Sequence, residues 1–282
     1  MKKLVTVAIP TFNRKRYLKQ SINSVLNQTY KNLELLVVDN HSEDNTQKEV
    51  EGIHDSRIHY LRNKKNIGIL SNWNKCIDLA KGKYLVILGD DDILLPTFIE
   101  ESLKVHERYN VGFSFTHCNK VDKNGKFLMR WGYDFPPSGF LKGDKYLRLT
   151  VKYGACLTNS TTVMLNKNIF KTVGKFEAKY STNTFDLNMW IKIADKFNLY
   201  FIDKTLAHYR VHKDQVSEIH WRRKMIHTGK IGTYLEIFDA IARLLQRRSY
   251  YGDKIKRGFL LGKLKEYDMK LTKLLTGTVP EL

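Results

Sequence analysis

Apolar runs of strand length alternate with apolar positions at helical spacing through the first part of the chain. Val5 to Phe12 reads as a buried strand, and Tyr17, Leu18, Ile22, Val25 and Leu26 then recur as one face of a helix. Leu33 to Val38 is a second strand-length run ending at Asp39, and Arg57 to Leu61 is a short third one. Ile69, Trp73, Cys76, Ile77 and Ala80 predict a helix stopped by Gly82, and Tyr84 to Leu88 a fourth strand leading into Gly89-Asp90-Asp91-Asp92. Pro96 suits the first turn of a further helix carrying Phe98, Ile99 and Leu103. A β-α-β-α order of this kind predicts an α/β fold, with a mostly parallel sheet flanked by helices.

The rhythm changes after about residue 110. Gly112 to Cys118 reads as a strand, Lys123-Asn124-Gly125 as a hairpin turn, and Phe135-Pro136-Pro137-Ser138-Gly139 as a loop. Ser160 to Leu165 and Leu199 to Ile202 are further strand signals. Between them Phe185 to Phe197 predicts a helix with Leu187, Trp190, Ile191 and Ala194 inward. From Trp221 onward the pattern is helical and basic. Ile237, Phe238, Ile241, Leu244 and Leu245 form an apolar stripe beside Arg243, Arg247 and Arg248. Such helices pack on the main body with a solvated face, or lie on a membrane surface; packing is the favoured reading.

Composition narrows the picture. A chain of 282 residues with 42% hydrophobic and 12% aromatic content can bury a substantial core. Cys76, Cys118 and Cys156 are far apart and lack metal-ligand spacing, which argues against a disulfide framework or zinc site and for a reducing compartment. The opening Met-Lys-Lys precedes an apolar run too short for a secretion signal, and no stretch has the length needed to span a bilayer. A soluble cytoplasmic protein is expected. Forty-eight basic residues against 29 acidic ones give a formal charge of +19, which suits an anionic partner: nucleic acid, an acidic membrane, or phosphate-bearing substrates. A generally Lys-rich surface would give the same charge without any partner.

Position decides what the polar clusters mean. In an open parallel sheet, ligands sit at the carboxyl ends of the strands. Thr11 and Asn13, Asp39, and Asp90 to Asp92 all follow strand runs, so they should share one edge. Three adjacent aspartates raise one another's pKa unless a cation sits among them. Mg²⁺ or Mn²⁺ is held by one or two carboxylates while substrate phosphates supply further oxygens. A loop capping the helix near Pro96 is the simpler alternative for the triplet alone.

Val-Ala-Ile-Pro-Thr-Phe-Asn-Arg at 7–14, with Leu18, Ser21, Ser24, Val25, Gln28 and Tyr30, resembles the opening of family-2 glycosyltransferases. Val37-Val38-Asp39-Asn40-His41-Ser42-Glu43-Asp44-Asn45-Thr46, Asn66-Ile67-Gly68 and Leu88-Gly89-Asp90-Asp91-Asp92 resemble further motifs of that family. So do Gly174-Lys175-Phe176-Glu177, Asp186 to Trp190 and Tyr209-Arg210-Val211-His212, so the likeness covers residues 4–217. The resemblance implies a GT-A, Rossmann-like domain over 1–218, with a nucleotide-binding half at 1–115 and an acceptor half at 116–218. Residues 219–282 would then form a basic helical extension.

It also implies roles. Pro10, Thr11, Asn13, Asp39, Asn66 and Gly68 would hold the nucleotide, supported by Asp90 and Arg210. Asp91, with Asp92 and His212, would hold a divalent metal, Mn²⁺ or Mg²⁺. Asp186 would be the general base. The implied reaction is inverting, metal-dependent transfer of a sugar from a nucleoside-diphosphate sugar, UDP-sugar favoured. The acceptor would be a hydroxyl of a glycan or lipid-linked molecule in surface polysaccharide synthesis. The basic C-terminal helices leave room for peripheral contact with the inner face of the cell membrane.

Two positions depart from the family pattern. Gly89 stands where many relatives have an acidic residue, and Phe185 stands where a glutamate precedes the base. Asp186 also suits a helix start, and His212 an ordinary polar loop. A nucleotidyltransferase or nicotinamide dehydrogenase would need a Gly-rich phosphate loop after the first strand, where this chain has Pro-Thr-Phe-Asn-Arg-Lys. A basic nucleic-acid-binding protein and a catalytically inactive sugar-nucleotide-binding homologue remain as alternatives. Against the first stand the aspartates at the strand ends and the lack of a nucleic-acid motif, so no nucleic acid is expected as partner.

Overall fold

A computed structural model describes residues 3–131, 138–153, 158–182, 184–215, 226–246 and 254–276. The expected loop at 135–139 lies mostly outside them, as does Cys156; Cys76 and Cys118 are buried and unbridged.

Among the described residues ten strands form one sheet. They are β1 (Val5–Thr11), β2 (Leu33–Asp39), β3 (Ile58–Arg62), β4 (Tyr84–Ile87), β5 (Ile93–Leu94), β6 (Phe113–Val121), β7 (Phe127–Trp131), β8 (Gly139–Leu141), β9 (Val163–Asn166) and β10 (Leu199–Arg210). Eight follow the order β3-β2-β1-β4-β9-β6-β10-β5, and β7 pairs with β6. The α-helices are α1 (Lys15–Leu26), α2 (Thr46–Glu51), α3 (Ile69–Leu79), α4 (Phe98–Arg108), α5 (Gly143–Tyr153), α6 (Phe170–Val173), α7 (Phe185–Lys196), α8 (Ile226–Leu245) and α9 (Lys254–Thr276).

The chain divides into two units. Unit one (Met1–Phe140, Thr158–Phe176 and Asn198–His212) holds the sheet strands from β1 to β7, β9 and β10, with helices α1 to α4 and α6. Unit two (Leu141–Leu157, Glu177–Phe197 and Lys213–Leu282) holds α5 and α7 to α9.

In unit one β1 pairs in parallel with β2 and β4, and β2 with β3. Every residue of β1 and β2 is buried, as expected of central parallel strands covered on both faces. Tyr17, Leu18, Ser21, Ile22 and Val25 of α1 form its buried face, and Leu18, Ile22 and Val25 join Val7, Ile9, Val37 and Val86 in the core. Beyond β4 the sheet is mixed: β9 runs antiparallel to both β4 and β6, while β6 and β10 are parallel.

Three local expectations are adjusted. The signal at Ser160 to Leu165 begins with a 3₁₀ turn at Ser160–Thr162, because the Asn159 side chain accepts from the Thr161 amide; the strand starts at Val163. Leu199 to Ile202 is only the first part of β10. Register shifts between Ile202, Thr205 and Ala207 bulge exposed Asp203 and Lys204 outward and let the strand run on to Arg210. Pro96 lies just ahead of α4, not in its first turn, and its carbonyl accepts from the Thr29 amide.

Unit two is a helical packing. Leu187, Trp190, Ile191 and Ala194 of α7 are buried, as are Ile237, Ala240, Ile241 and Leu244 of α8. Arg243 pairs with Asp195 at 3.1 Å and Asp239 at 3.0 Å, and the Tyr267 hydroxyl donates to the Val151 carbonyl at 2.9 Å. Among the described residues no helix is long and apolar enough to cross a membrane.

Gly82 shows why the chain turns where it does between α3 and β4. A Cβ there would lie 2.5 Å from the Thr6 backbone nitrogen and 2.9 Å from the Leu4 carbonyl oxygen. Its amide donates to the Thr6 hydroxyl at 2.8 Å, and that hydroxyl donates to buried Glu34. Gly82→Ala should destabilise the fold by about 1–3 kcal/mol, as overpacking against rigid backbone does. Urea unfolding would show it as a lower midpoint at unchanged slope.

Candidate active site

The carboxyl ends of β1, β2 and β4 carry the polar clusters anticipated from sequence. Thr11 and Asp39 are register partners at the ends of β1 and β2. The β1–β4 ladder ends at Ala8–Ile87, two residues before Pro10. Pro10 has no N–H to give, and it sits in a central strand only because β4 has already parted from β1.

Beyond β1, Asn13 adopts a left-handed φ of 54°, a conformation asparagine tolerates. Its amide donates to Ser42 Oγ at 2.8 Å, and its side-chain oxygen accepts from the Glu43 amide at 2.8 Å. The β1 and β2 loops are thereby locked together. Asp39 is fully buried: Oδ1 accepts from the amide and hydroxyl of Ser42 at 2.8 and 2.6 Å, and Oδ2 accepts from the Tyr60 hydroxyl at 2.6 Å. Arg62 Nε lies 3.7 Å from Oδ2.

An asparagine network continues from there. Asn40 Nδ2 donates to Asn66 Oδ1 at 2.8 Å, and Asn40 Oδ1 accepts from the Ile67 amide at 2.9 Å. Asn63 Nδ2 reaches Asn40 Oδ1 at 3.1 Å and Asn72 Oδ1 at 2.9 Å, while Asn72 Nδ2 donates to the Val38 carbonyl at 2.9 Å. Asn66 Oδ1 also accepts from the Gly68 amide at 2.8 Å. Gly68 has φ 81° and opens α3, so this position requires glycine. Asn66 and Gly68 are exposed, within reach of a ligand, whereas Asn63 and Asn72 are buried supports that the sequence reading did not single out.

The aspartate loop is the most constrained part of the site. Asp91 is 8% exposed and Asp92 3%. Asp92 Oδ1 accepts from the Arg210 amide at 2.9 Å, and Oδ2 accepts from the Thr161 hydroxyl. Its backbone carbonyl accepts from Ser21 Oγ at 2.7 Å. Burial first, and the neighbouring Asp91 charge second, push the Asp92 carboxyl well above the usual carboxylate range. The same two causes raise Asp90 to about 7, against the pull of the Thr11 hydroxyl, Arg14 and the Phe12 amide. Gly89 now has a local reason: a Cβ there would come within 2.8 Å of Asp92 Oδ2 and 3.2 Å of Asp91 Oδ1.

His212 Nε2 donates to Asp91 Oδ2 at 2.8 Å, and its ring packs on Tyr17 with centroids 4.5 Å apart. Its Nδ1 is buried with no partner among the described residues. Arg210 is fully buried and does not present itself to a ligand. Nε donates to the Asp91 carbonyl at 2.8 Å, Nη1 to the Lys123 carbonyl at 3.2 Å, and Nη2 to Gln20 Oε1 at 2.7 Å. The guanidinium also lies 5.0 Å above the Tyr17 ring. Its N–H groups satisfy loop carbonyls, an arrangement that braces the loop. Asp92 likewise has both carboxylate oxygens hydrogen-bonded within unit one.

A metal site can be tested against these groups. Among the described residues no three His, Cys, Asp or Glu side chains form a ready-made cage. In the aspartate loop Asp91 and His212 stand adjacent with side chains that can both ligate, and Asp90 beside them holds a carboxyl that a cation would ionise. That set fits an ion completed by substrate oxygens.

Asp186 lies in unit two, in the first turn of α7, where Oδ1 accepts from the Leu187 amide at 2.8 Å. It is not the N-cap; Thr184 is. Burial raises its carboxyl to about 6, partly offset by the backbone amides of Leu187 and of Asp186 itself.

Ser21, Ser24 and Gln28, noted in the sequence only as motif residues, tie α1 to the aspartate loop. Ser24 Oγ accepts from the Leu94 amide at 3.2 Å, and Gln28 bridges the Leu95 carbonyl at 2.8 Å and the Ile99 amide at 3.1 Å. Thr161 and Gln20 carried no sequence signal at all.

Comparison with known proteins bears on the family and the fold. The family model described as glycosyl transferase family 2 matches residues 6–174. An uncharacterized glycosyltransferase of Methanocaldococcus jannaschii is 30% identical over 219 residues, which cover 74% of this chain and 71% of that protein. The putative teichuronic acid biosynthesis glycosyltransferase TuaG of Bacillus subtilis is 29% identical, over 78% of this chain and 84% of that protein. An uncharacterized glycosyltransferase of Rickettsia bellii is 31% identical over 76% of this chain, but the match spans only 31% of that longer protein. The fold is that of S. aureus TarS residues 1–349, solved with UDP-GlcNAc: TM-score 0.68 at 14% identity, covering 95% of this chain and 73% of that one.

Arg210→Lys tests the bracing role. It should destabilise the protein by about 2–3 kcal/mol by leaving buried loop carbonyls unpaired. Thermal unfolding without ligand would register the loss. A variant that kept its stability and lost only nucleotide affinity would return Arg210 to a ligand-binding role.

Proposed function

Because the chain belongs to glycosyltransferase family 2, we propose that it transfers a sugar from a nucleoside-diphosphate sugar to an acceptor hydroxyl with inversion. The observation that carries this reading is the aspartate loop, where Asp91 and His212 meet at 2.8 Å beside the ends of β1 and β2. UDP is the favoured nucleotide, in keeping with TarS, whose residues 1–349 were solved with UDP and with UDP-GlcNAc. TuaG, named for teichuronic acid biosynthesis, supports a glycan or lipid-linked acceptor and a role in polysaccharide synthesis. A reducing, cytoplasmic setting suits a pair of buried free thiols.

The residues divide the work. The β1 loop with Thr11 and Asn13, and the exposed Asn66 and Gly68, frame the nucleotide; Asp39 and Asn40 set the shape of that pocket from beneath. Asp91 and His212 would hold Mg²⁺ or Mn²⁺, which supplies positive charge to the departing diphosphate when bound. Asp90 would contribute a second carboxylate there. Asp186, with its carboxyl near 6, would be ionised at neutral pH and still basic enough to take the acceptor proton. The acceptor oxygen then bonds to C1 as the C1–O bond to the diphosphate breaks. One base and one displacement give inversion.

Nucleotide release from a panel of sugar nucleotides, with and without Mn²⁺ or Mg²⁺, tests the reading. One donor should release its nucleotide in a metal-dependent way, and Asp91→Asn should lower that rate at least about a hundredfold. Absence of metal-dependent turnover or binding with every donor would overturn the proposal. Tight binding without turnover would instead favour an inactive homologue.

The pH profile of transfer tests Asp186 separately. The working form is the ionised one, so the rate should rise about tenfold per pH unit below 6 and level off above it. Asp186→Asn should abolish transfer and leave donor binding intact. A profile flat between pH 5 and 7 would remove Asp186 from the base role.

A further inference from the structure

At the sheet edge opposite the aspartates, unit one has a second cleft, and it is lined by lysines. The cleft has a volume of about 610 Å³, and its walls include Lys81, Lys83, Lys167, Lys171 and Lys175 against a single carboxylate, Asp78. One wall is the turn between α3 and the amino end of β4; the other is the 3₁₀ turn at Lys167–Ile169 together with α6 and the segment after it. The strands run in parallel here, so the carboxyl ends of β2 and β4 and this amino-end cleft face opposite edges.

The lysines are not equivalent. Lys175 is paired with Asp78 at 2.5 Å, and Lys167 Nζ donates to the Ala80 carbonyl at the end of α3. Those two build the cleft. Lys81, Lys83 and Lys171 are exposed and form no ion pair among the described residues; Lys83 has only the Tyr84 ring, 5.5 Å away. Lys81 on one wall and Lys171 on the other carry positive charge that no carboxylate among the described residues pairs, and Lys83 adds to the field at the amino end of β4, so the hollow favours an anion. Partly buried Phe170 contributes apolar surface to the same hollow.

We propose that this cleft binds an extended polyanion carrying several phosphate groups. Lysine is a point-charge phosphate binder with no demand for planar geometry, which suits phosphates at variable spacing. Charges on facing walls suit a ligand with more than one anionic group. A shallow hollow of this size can seat a chain along its floor, whereas a membrane meets a flat or convex basic face. The site does not depend on which sugar the aspartate edge handles.

Calorimetric titration of the full chain with tripolyphosphate, at near-physiological ionic strength, is the test. The triple variant Lys81→Gln, Lys83→Gln, Lys171→Gln should bind at least about tenfold more weakly and keep its thermal stability, since these side chains are exposed. Asp91→Asn should bind tripolyphosphate like the wild type, which separates this cleft from the aspartate edge. No binding by the wild type, or equal binding by the triple variant, would overturn the proposal. So would sedimentation with phosphatidylglycerol vesicles that depends on these lysines while tripolyphosphate fails to bind. Lysine-dependent binding of both probes would support the phosphate chemistry and place it on lipid headgroups as well.

Discussion

Three carboxylates in sequence, two of them buried, repel one another and resist desolvation, and much of unit one is arranged around that fact. Asp92 is held between the Thr161 hydroxyl and the Arg210 amide, and its carbonyl is held by Ser21. With Asp92 fixed, Asp91 faces His212, and Asp90 remains as a carboxyl near neutrality. Gly89 follows from the same constraint, because any side chain there would strike the Asp92 carboxylate. A family departure that reads in the sequence as a lost contact is, in three dimensions, a packing requirement.

The nucleotide side obeys a different economy. There the groups are neutral amides, and asparagine serves repeatedly because its side chain both donates and accepts. Asn40, Asn63, Asn66 and Asn72 connect the ends of β2 and β3 to the start of α3 without any net charge. Asp39, the charged member of this side, is stabilised by Ser42 and Tyr60 and by the nearby Arg62. Its buried carboxylate shapes the loop around it more directly than it can meet a ligand.

The parallel half of the sheet was legible in the sequence because each strand is a continuous apolar run and each major helix an apolar stripe. The same holds for α7, whose four inward residues are all buried. The placement of the acidic clusters at one edge followed from strand direction alone. Less could be read where an element is brief or where its role depends on a distant partner. Ile93–Leu94 is too short to carry a period, and α5 hides its helical spacing in β-branched and aromatic residues such as Thr150, Val151 and Tyr146. Thr161 and Gln20 are invisible as site residues because their importance lies entirely in whom they meet, Asp92 and Arg210. Arg210 shows the same dependence: a motif marks the arginine, and only its hydrogen bonds show that it meets the carbonyls of Asp91 and Lys123.

The partners of Asp92 come from far apart: position 161 just before β9, and position 210 at the end of β10. During synthesis the aspartate loop therefore emerges long before the groups that neutralise its burial. The early strands can pair among themselves, but the acidic loop is left without its anchors until nearly all of unit one has been made. The part of unit one up to the aspartate loop is for this reason not a portable cassette. Grafted elsewhere without β9 and β10, it would keep its strands and lose the organisation of its aspartates, so donor handling and the remainder of the sheet must evolve as one piece.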